Sequence, residues 1–232
     1  MRAMTGDLPL HERSLLARGE VVVGMDEVGR GALAGPLTVG AVVITSPNAP
    51  PEGLTDSKML SHRQRESLEV PIREWAIDWS LGSVSANEID DWGLRLALAV
   101  AATRALDGLR VRPTFALLDG SFNLLRAPLD VAFGVASPPA LAYADMAHLT
   151  VVKGDSKCAT IAAASILAKV QRDRVMVEMD RHFGAFGWAQ NKGYGAPSHL
   201  AALRRHGPTE QHRRSWNLPS CEGPVDPAEV SA

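Results

Sequence analysis

The chain has 232 residues, 46% hydrophobic and 22% charged, an ordinary globular composition that excludes a low-complexity or collagen-like polymer. Its formal net charge is -2, so no global basic field announces nucleic-acid binding, and any such binding must be local. Two cysteines, Cys158 and Cys221, are too few for a disulfide framework or a zinc site, and no apolar run is long enough to span a bilayer; a cytoplasmic, reducing setting is expected.

The first residues mix Arg2, Asp7, His11, Glu12, Arg13 and Arg18 with short apolar pieces, which reads as a tail over 1–18 without a signal-peptide core. The main domain, 19–183, opens with two strand-like runs, Val21 to Met25 and Leu37 to Ile44, flanking a Gly-rich turn. Ser61 caps a helix reaching Val70, Trp75 to Ser83 alternates as a third strand, and Ala86 to Leu109 is an Ala- and Leu-rich helix stopped by Pro113. Phe115 to Leu118 and Leu149 to Val152 read as short buried parallel strands, each followed by an acid. Between them, Ser121 to Met146 holds Pro128, Pro138 and Pro139 and reads as loop. From Ile161 towards Met179 a helix buries an Ala, Ile and Leu stripe and is expected to expose Lys169, Arg172, Asp173 and Arg174. Residues 184–217 turn to Gly, Pro, His and Arg, with a helix over Ser198 to His206, and the Pro-rich stretch 218–232 is expected to be disordered.

Three predicted strand ends carry acids: Asp26 with Glu27, Asp119, and Asp155. Ligands of α/β sheets sit outside the carboxyl ends of strands, so acids far apart in sequence can converge there. Four facing carboxylates need a cation, and an all-oxygen donor set selects Mg²⁺ or Mn²⁺ over zinc. Two such ions would clamp the attacking water and the leaving oxygen of a phosphodiester. Neighbours on a regular strand point to opposite faces, so Asp26 and Glu27 are expected to share a site only where the strand ends or distorts, which Gly29 and Gly31 favour. Each acid taken singly is also compatible with a solvated loop. Gly29 to Ala34 fits a loose dinucleotide-binding pattern as well, but Pro36 and the strand-like run after it stand where that pattern needs a helix.

Several strings recur in a fixed order: Asp26-Glu27-Val28-Gly29-Arg30-Gly31 with Ala34-Gly35-Pro36, Asp56-Ser57-Lys58, Leu118-Asp119-Gly120, Lys153-Gly154-Asp155, Ile161 to Val170 with Arg172-Asp173, Lys192-Gly193-Tyr194, and Gly207-Pro208 with His212-Arg213-Arg214-Ser215. Over about Glu20 to Trp216 the chain resembles the ribonuclease HII family, the type 2 ribonucleases H. The resemblance implies an α/β, ribonuclease H-like fold: a mixed five-stranded sheet, three antiparallel strands then two parallel, flanked by helices. It makes 19–183 a catalytic domain and 184–217 a helical, substrate-binding region. The implied activity is endonucleolytic hydrolysis of the RNA strand of RNA–DNA hybrids, and incision 5′ to single ribonucleotides in duplex DNA. Two Mn²⁺ or Mg²⁺ ions would serve, leaving 3′-OH and 5′-phosphate ends.

The family's metal-binding acids fall on Asp26, Glu27, Asp119 and Asp155, the set found from the strand ends. By the resemblance Asp26 bridges both ions and Asp155 helps to hold the one that activates water. Gly29, Arg30 and Gly31 resemble the turn whose main chain contacts the ribose 2′-OH, the group that separates RNA from DNA. Tyr194 resembles the aromatic that stacks on the following deoxyribose; read alone, it is a loop anchor. Lys58, Lys153, Lys192, Arg213 and Arg214 are candidate phosphate contacts, whereas Arg204 and Arg205 read as a solvated face and His212 has no assigned role. Met59 and Asn191 stand where relatives commonly carry lysine and histidine. A monomer acting on hybrid and ribonucleotide-containing duplex, away from membranes, is expected, with protein partners unknown. Rival readings are another two-metal nuclease of this fold, such as a junction resolvase, and a non-catalytic hybrid-binding module.

Overall fold

Apolar, β-branched runs build three strands in a row: β1 (Val22–Val28), β2 (Leu37–Ile44) and β3 (Asp78–Val84). They pair antiparallel, and β4 (Phe115–Asp119) and β5 (Ala147–Val151) then add in parallel on the other side of β1. The resulting five-stranded sheet has the order β3-β2-β1-β4-β5, the expected ribonuclease H-like arrangement. This is a computed structural model, and it describes residues 7–126 and 140–221.

Helices α1 (Leu10–Leu16), α2 (His62–Trp75), α3 (Ala86–Asp107), α4 (Ala159–Asp180), α5 (Trp188–Asn191) and α6 (Pro197–His206) surround the sheet. Capping boxes start α2 at Ser61 with Gln64 and α3 at Ser85 with Glu88, satisfying amide groups that the first turn leaves bare. The second helix runs on through Pro71 to Trp75, past the expected end at Val70, and β3 accordingly starts at Asp78. The Asp78 carboxylate accepts the amides of Arg110 (2.6 Å) and Val111 (2.9 Å), tying that strand start to the segment after α3.

Both faces of the central strands are covered, whereas the edge strand β5, expected to be buried, leaves Ala147, His148 and Leu149 exposed. Val23, Met25, Val39 and Val43 pack with Ile89, Leu98 and Leu106 of α3, while Val22, Val42 and Leu117 pack with Ile161 and Ile166 of α4. Helix α4 lies so close to β1 and β2 that a Cβ on Gly24 would stand 2.3 Å from the Thr160 carbonyl carbon, and one on Gly40 2.3 Å from the Ala164 oxygen. Glycine is required at both positions for this approach.

Two more expectations are revised. Arg172 and Asp173 are buried, not exposed: Arg172 donates to the carbonyls of Ala34, Pro36 and Lys192, Asp173 accepts the Lys169 ammonium and lies 4.0 Å from Arg65 of α2, and farther along α4 Met176 packs with Phe186, Trp188 and Leu203. Within the segment read as a tail, α1 sets Glu12 wholly inside, where its Oε1 accepts the Thr160 amide and hydroxyl, each at 3.1 Å, and so caps the start of α4. Residues 1–6, much of the predicted 121–146 loop and all but the first four residues of the predicted disordered stretch lie outside the described residues. Among the described residues no helix is long and apolar enough to cross a membrane.

Candidate active site

The acids meet where the sheet opens. Strand β1 keeps an unbroken ladder with β2 down to Val28 opposite Thr38, so it neither ends nor distorts at Asp26 and Glu27, contrary to expectation. Its parallel partner stops instead: β1 and β4 pair only as far as Met25 opposite Leu118, and β4 closes at Asp119. Gly24 faces α4, so Asp26, two residues on, faces α4 as well and Glu27 faces away. The missing strand edge lets carboxylates from both faces act on Asp119, whose charge disfavours ionisation of Asp26 and of Glu27 alike.

Asp155 arrives from beyond β5. The chain passes through Lys153 in a left-handed conformation (φ 57°) into a short 3₁₀ turn, Gly154–Ser156. The Gly154 amide donates to Asp119 Oδ1 at 2.7 Å, and the Lys58 ammonium donates to Asp155 Oδ2 at 3.0 Å. Lys58 itself sits on a 3₁₀ turn begun by Asp56, whose carboxylate accepts the Lys58 amide at 2.9 Å.

Burial dominates the ionisation of Asp26, Glu27 and Asp155. Asp26, only 5% exposed, is pushed up to about 8 by burial, with the charges of Glu27 and Asp119 adding and a hydrogen bond from Ser165 opposing. Glu27 and Asp155 are also raised, again chiefly by burial, against the pull of Arg30 on the first and Lys58 on the second. Burial works against the Lys58 ammonium, but its contact with Asp155 and the charges of Asp56 and Asp26 together outweigh this and hold it above its ordinary value.

The remaining candidates separate into groups. One cleft joins Asp26 and Glu27 to Gly29, Arg30 and Gly31, to Lys58 and to Tyr194. A neighbouring cleft joins Lys58 to Asp119, Lys153 and Asp155, so Lys58 borders both. Tyr194 is 37% exposed, with the buried Arg172 guanidinium 5.5 Å from its ring centre. Lys192 turns its ammonium back onto the Ala189 carbonyl and lines neither cleft, and Arg214 binds the Thr209 carbonyl through Nε.

Arg213 is not placed to contact a phosphate. It is 0% exposed, and its guanidinium donates to the carbonyls of Arg30 (2.8 Å), Gly29 (2.5 Å) and Gly35 (3.3 Å). Arg172 does the same for Pro36, Lys192 and Ala34. Two buried forks thus hold the Gly-Arg-Gly turn and the segment carrying Tyr194 as one piece. Gly29, at φ 84°, leaves room for them: a Cβ there would stand 2.2 Å from Arg172 Nε.

Sequence reasoning missed Ser165, which bonds Asp26 and shares a 2.9 Å contact with Ser57, and it missed Arg65 and Lys169 in the cleft. The only local signal for Ser165 is a hydroxyl within the alanine stripe of α4.

Sheet order, helix placement and the acids at the open edge define a protein of the ribonuclease H-like fold. The family model for ribonuclease HII matches residues 23–218. Ribonuclease HII from Streptomyces coelicolor is 47% identical over 212 residues, which cover 90% of this chain and 83% of that one. Among solved structures, ribonuclease H2 from Pyrococcus horikoshii OT3 is 27% identical with TM-score 0.62, covering 84% of this chain and 93% of its own. RNase HII in a PCNA complex from Archaeoglobus fulgidus is 26% identical with TM-score 0.67, covering 86% and 96% respectively. The chain belongs to the ribonuclease HII family and is a ribonuclease H enzyme.

Proposed function

We propose that this enzyme hydrolyses the RNA strand of RNA–DNA hybrids and incises duplex DNA on the 5′ side of a single embedded ribonucleotide, leaving 3′-OH and 5′-phosphate ends. The observation that carries this reading is a single cleft in which two acids adjoin the Gly29 to Gly31 turn and an exposed tyrosine. A site that only cut phosphodiesters would need the acids alone. The turn and the aromatic add a means of testing the sugar on each side of the cut.

Among the described residues no three acid, His or Cys side chains form a ready-made metal cluster. The donor set nevertheless fits a hard divalent cation: every candidate ligand is a carboxylate, Asp26 is buried and resists ionising, and a lysine ammonium already rests on Asp155. Asp26, Glu27, Asp119 and Asp155 would hold two Mg²⁺ or Mn²⁺ ions. Bound there, such ions supply a water of lowered pKa and stabilise the leaving oxygen.

The chain's own groups do the rest. Asp26 would have to be ionised to hold a cation, against the burial that favours its proton. Lys58 and Lys153, beside the acids, attract the strand's phosphates. Arg213 and Arg172 fix the turn's peptide groups so that they meet the 2′-OH in a set geometry, and the Tyr194 ring offers a stacking surface to the next sugar. Two cysteines, the buried Cys158 and the exposed Cys221, are too few for a disulfide framework, which suits a reducing cytoplasm, and a monomer is the working form in this reading.

The test is a duplex carrying one ribonucleotide, incubated with Mg²⁺ or Mn²⁺ beside a uniform RNA–DNA hybrid, an all-DNA duplex and a four-way junction. Incision 5′ to the ribonucleotide and cutting of the hybrid are expected. Cleavage of the junction alone, or of nothing, would sink the reading.

A further inference from the structure

A buried polar chain runs through the C-terminal region, outside the acid site. Trp188, His199 and His212 are all 0% exposed. The Trp188 indole N–H donates to His199 Nε2 at 3.2 Å, His199 Nε2 and His212 Nε2 lie 3.0 Å apart, and the Thr209 amide donates to His212 Nδ1 at 3.0 Å. At the other end, His199 Nδ1 is 2.9 Å from the Tyr194 carbonyl oxygen.

These contacts can be satisfied by neutral rings in one way only. A backbone amide only donates, so His212 Nδ1 is bare and its proton sits on Nε2. An indole N–H also only donates, so His199 Nε2 is bare and accepts from both Trp188 and His212. The remaining proton is therefore on His199 Nδ1, where it donates to Tyr194. Burial supports neutral rings: it pushes His212 down to about 3, with His199 and Arg214 adding to the effect, and lowers His199 too. Phe186 stacks on Trp188 and meets both imidazoles edge-on, with centroid distances of 5.4, 6.0 and 4.7 Å, so the rings cannot turn independently.

The chain ends at a functional place. The carbonyl it grips belongs to Tyr194, and the preceding Gly193 carbonyl accepts the amides of Leu33 (2.8 Å) and Ala34 (3.2 Å), just beyond the Gly-Arg-Gly turn. Tyr194 is thus anchored to the turn on one side and to His199 on the other.

We propose that His199 is a positioning residue for Tyr194: held in its Nδ1–H form by Trp188 and His212, it sets the tyrosine backbone and through it the preference for an RNA–DNA junction. This rests on the junction-sensing role proposed above for Tyr194. Two near-isosteres separate the contacts of the ring. Asparagine places an amide near the Nδ1 position and keeps a donor for Tyr194; glutamine places one near Nε2 and keeps only the partner of Trp188 and His212.

The experiment compares kcat/KM on the single-ribonucleotide duplex with kcat/KM on a uniform hybrid for wild type, His199→Asn, His199→Gln, Tyr194→Ala and the double variant Tyr194→Ala with His199→Gln. His199→Gln is expected to lower the ratio about tenfold, on the order of one lost hydrogen bond. His199→Asn should keep the ratio within about twofold, and the double variant should fall no further than Tyr194→Ala. Equal effects of Asn and Gln, or an additive double variant, would overturn the inference while leaving the junction reading intact. A flat ratio for Tyr194→Ala sinks the junction reading, and the role of His199 falls with it. Should a variant not fold, ¹⁵N spectra of the wild-type imidazoles decide: His199 in the Nδ1–H form and His212 in the Nε2–H form support the chain, and any other pair of tautomers overturns it.

Discussion

Asp26 is a carboxylate whose charge the fold resists, with its pKa pushed up to about 8 by burial and by neighbouring acids. The folded protein therefore binds this proton more tightly than the unfolded chain, and stability is lost as pH climbs from the ordinary carboxylate range through about 8. In a chelator near pH 8, Asp26→Asn is expected to melt at least ~2–4 °C above wild type, the effect of about 1 kcal/mol in a chain of this size. The gap should close towards about pH 4, which thermal melts across that range will check. The same variant should bind hybrid in a gel-shift assay yet fail to cut it, because in the proposed reading the carboxylate holds metal and not sugar. Asp26 was legible because an acid closing an apolar run is a local signal. Arg213 was misread because sequence displays charge and not burial, and only the fold shows its guanidinium spent on the carbonyls of Gly29 and Arg30.

Among the elements, α4 lies close against the sheet, resting on Gly24 and Gly40 with no space for a methyl group, as α3 does on Gly82. Gly24→Ala is expected to cost about 1–3 kcal/mol by overpacking, read from the urea midpoint. It should also slow cutting, because the helix it displaces carries Ser165 against Asp26. Strand order and the long helices were legible from periodicity. The inward turn of Arg172 and Asp173 was not, because their partners are distant in sequence: the carbonyls of Ala34, Pro36 and Lys192 for the first and Arg65 of α2 for the second. Nor was α1, a short helix seated by the buried Glu12 on Thr160 and by Leu15 and Leu16 packing into the core. The regular course of β1 past its acids was equally invisible, since it depends on where a different strand stops.

For the whole molecule, a net charge of -2 hides a local concentration of charge, with acids at one open sheet edge and lysines beside them. A divalent cation that binds only the folded acids must raise the melting temperature in proportion to the logarithm of its concentration. Mn²⁺ is expected to raise it more near pH 8 than near pH 6, since proton and metal compete for Asp26, and Asp155→Asn should reduce that gain. Differential scanning fluorimetry with added Mn²⁺ at both pH values will measure it. An unchanged melting temperature at saturating metal would contradict the metal-site assignment.

One helix runs the length of the cleft from the buried acid to the turn. Along α4, Ser165 meets the buried acid, Lys169 lines the cleft, and Arg172 braces the turn. From Ser165 to Arg172 the helix rises about 10 Å, at 1.5 Å per residue. That rise makes α4 a gauge between the place where a strand would be cut and the place where its sugar would be read. Deleting a single residue between Lys169 and Arg172 would shorten the gauge by only about 1.5 Å but swing Arg172 through roughly 100°, so its calibration lies in angle far more than in length.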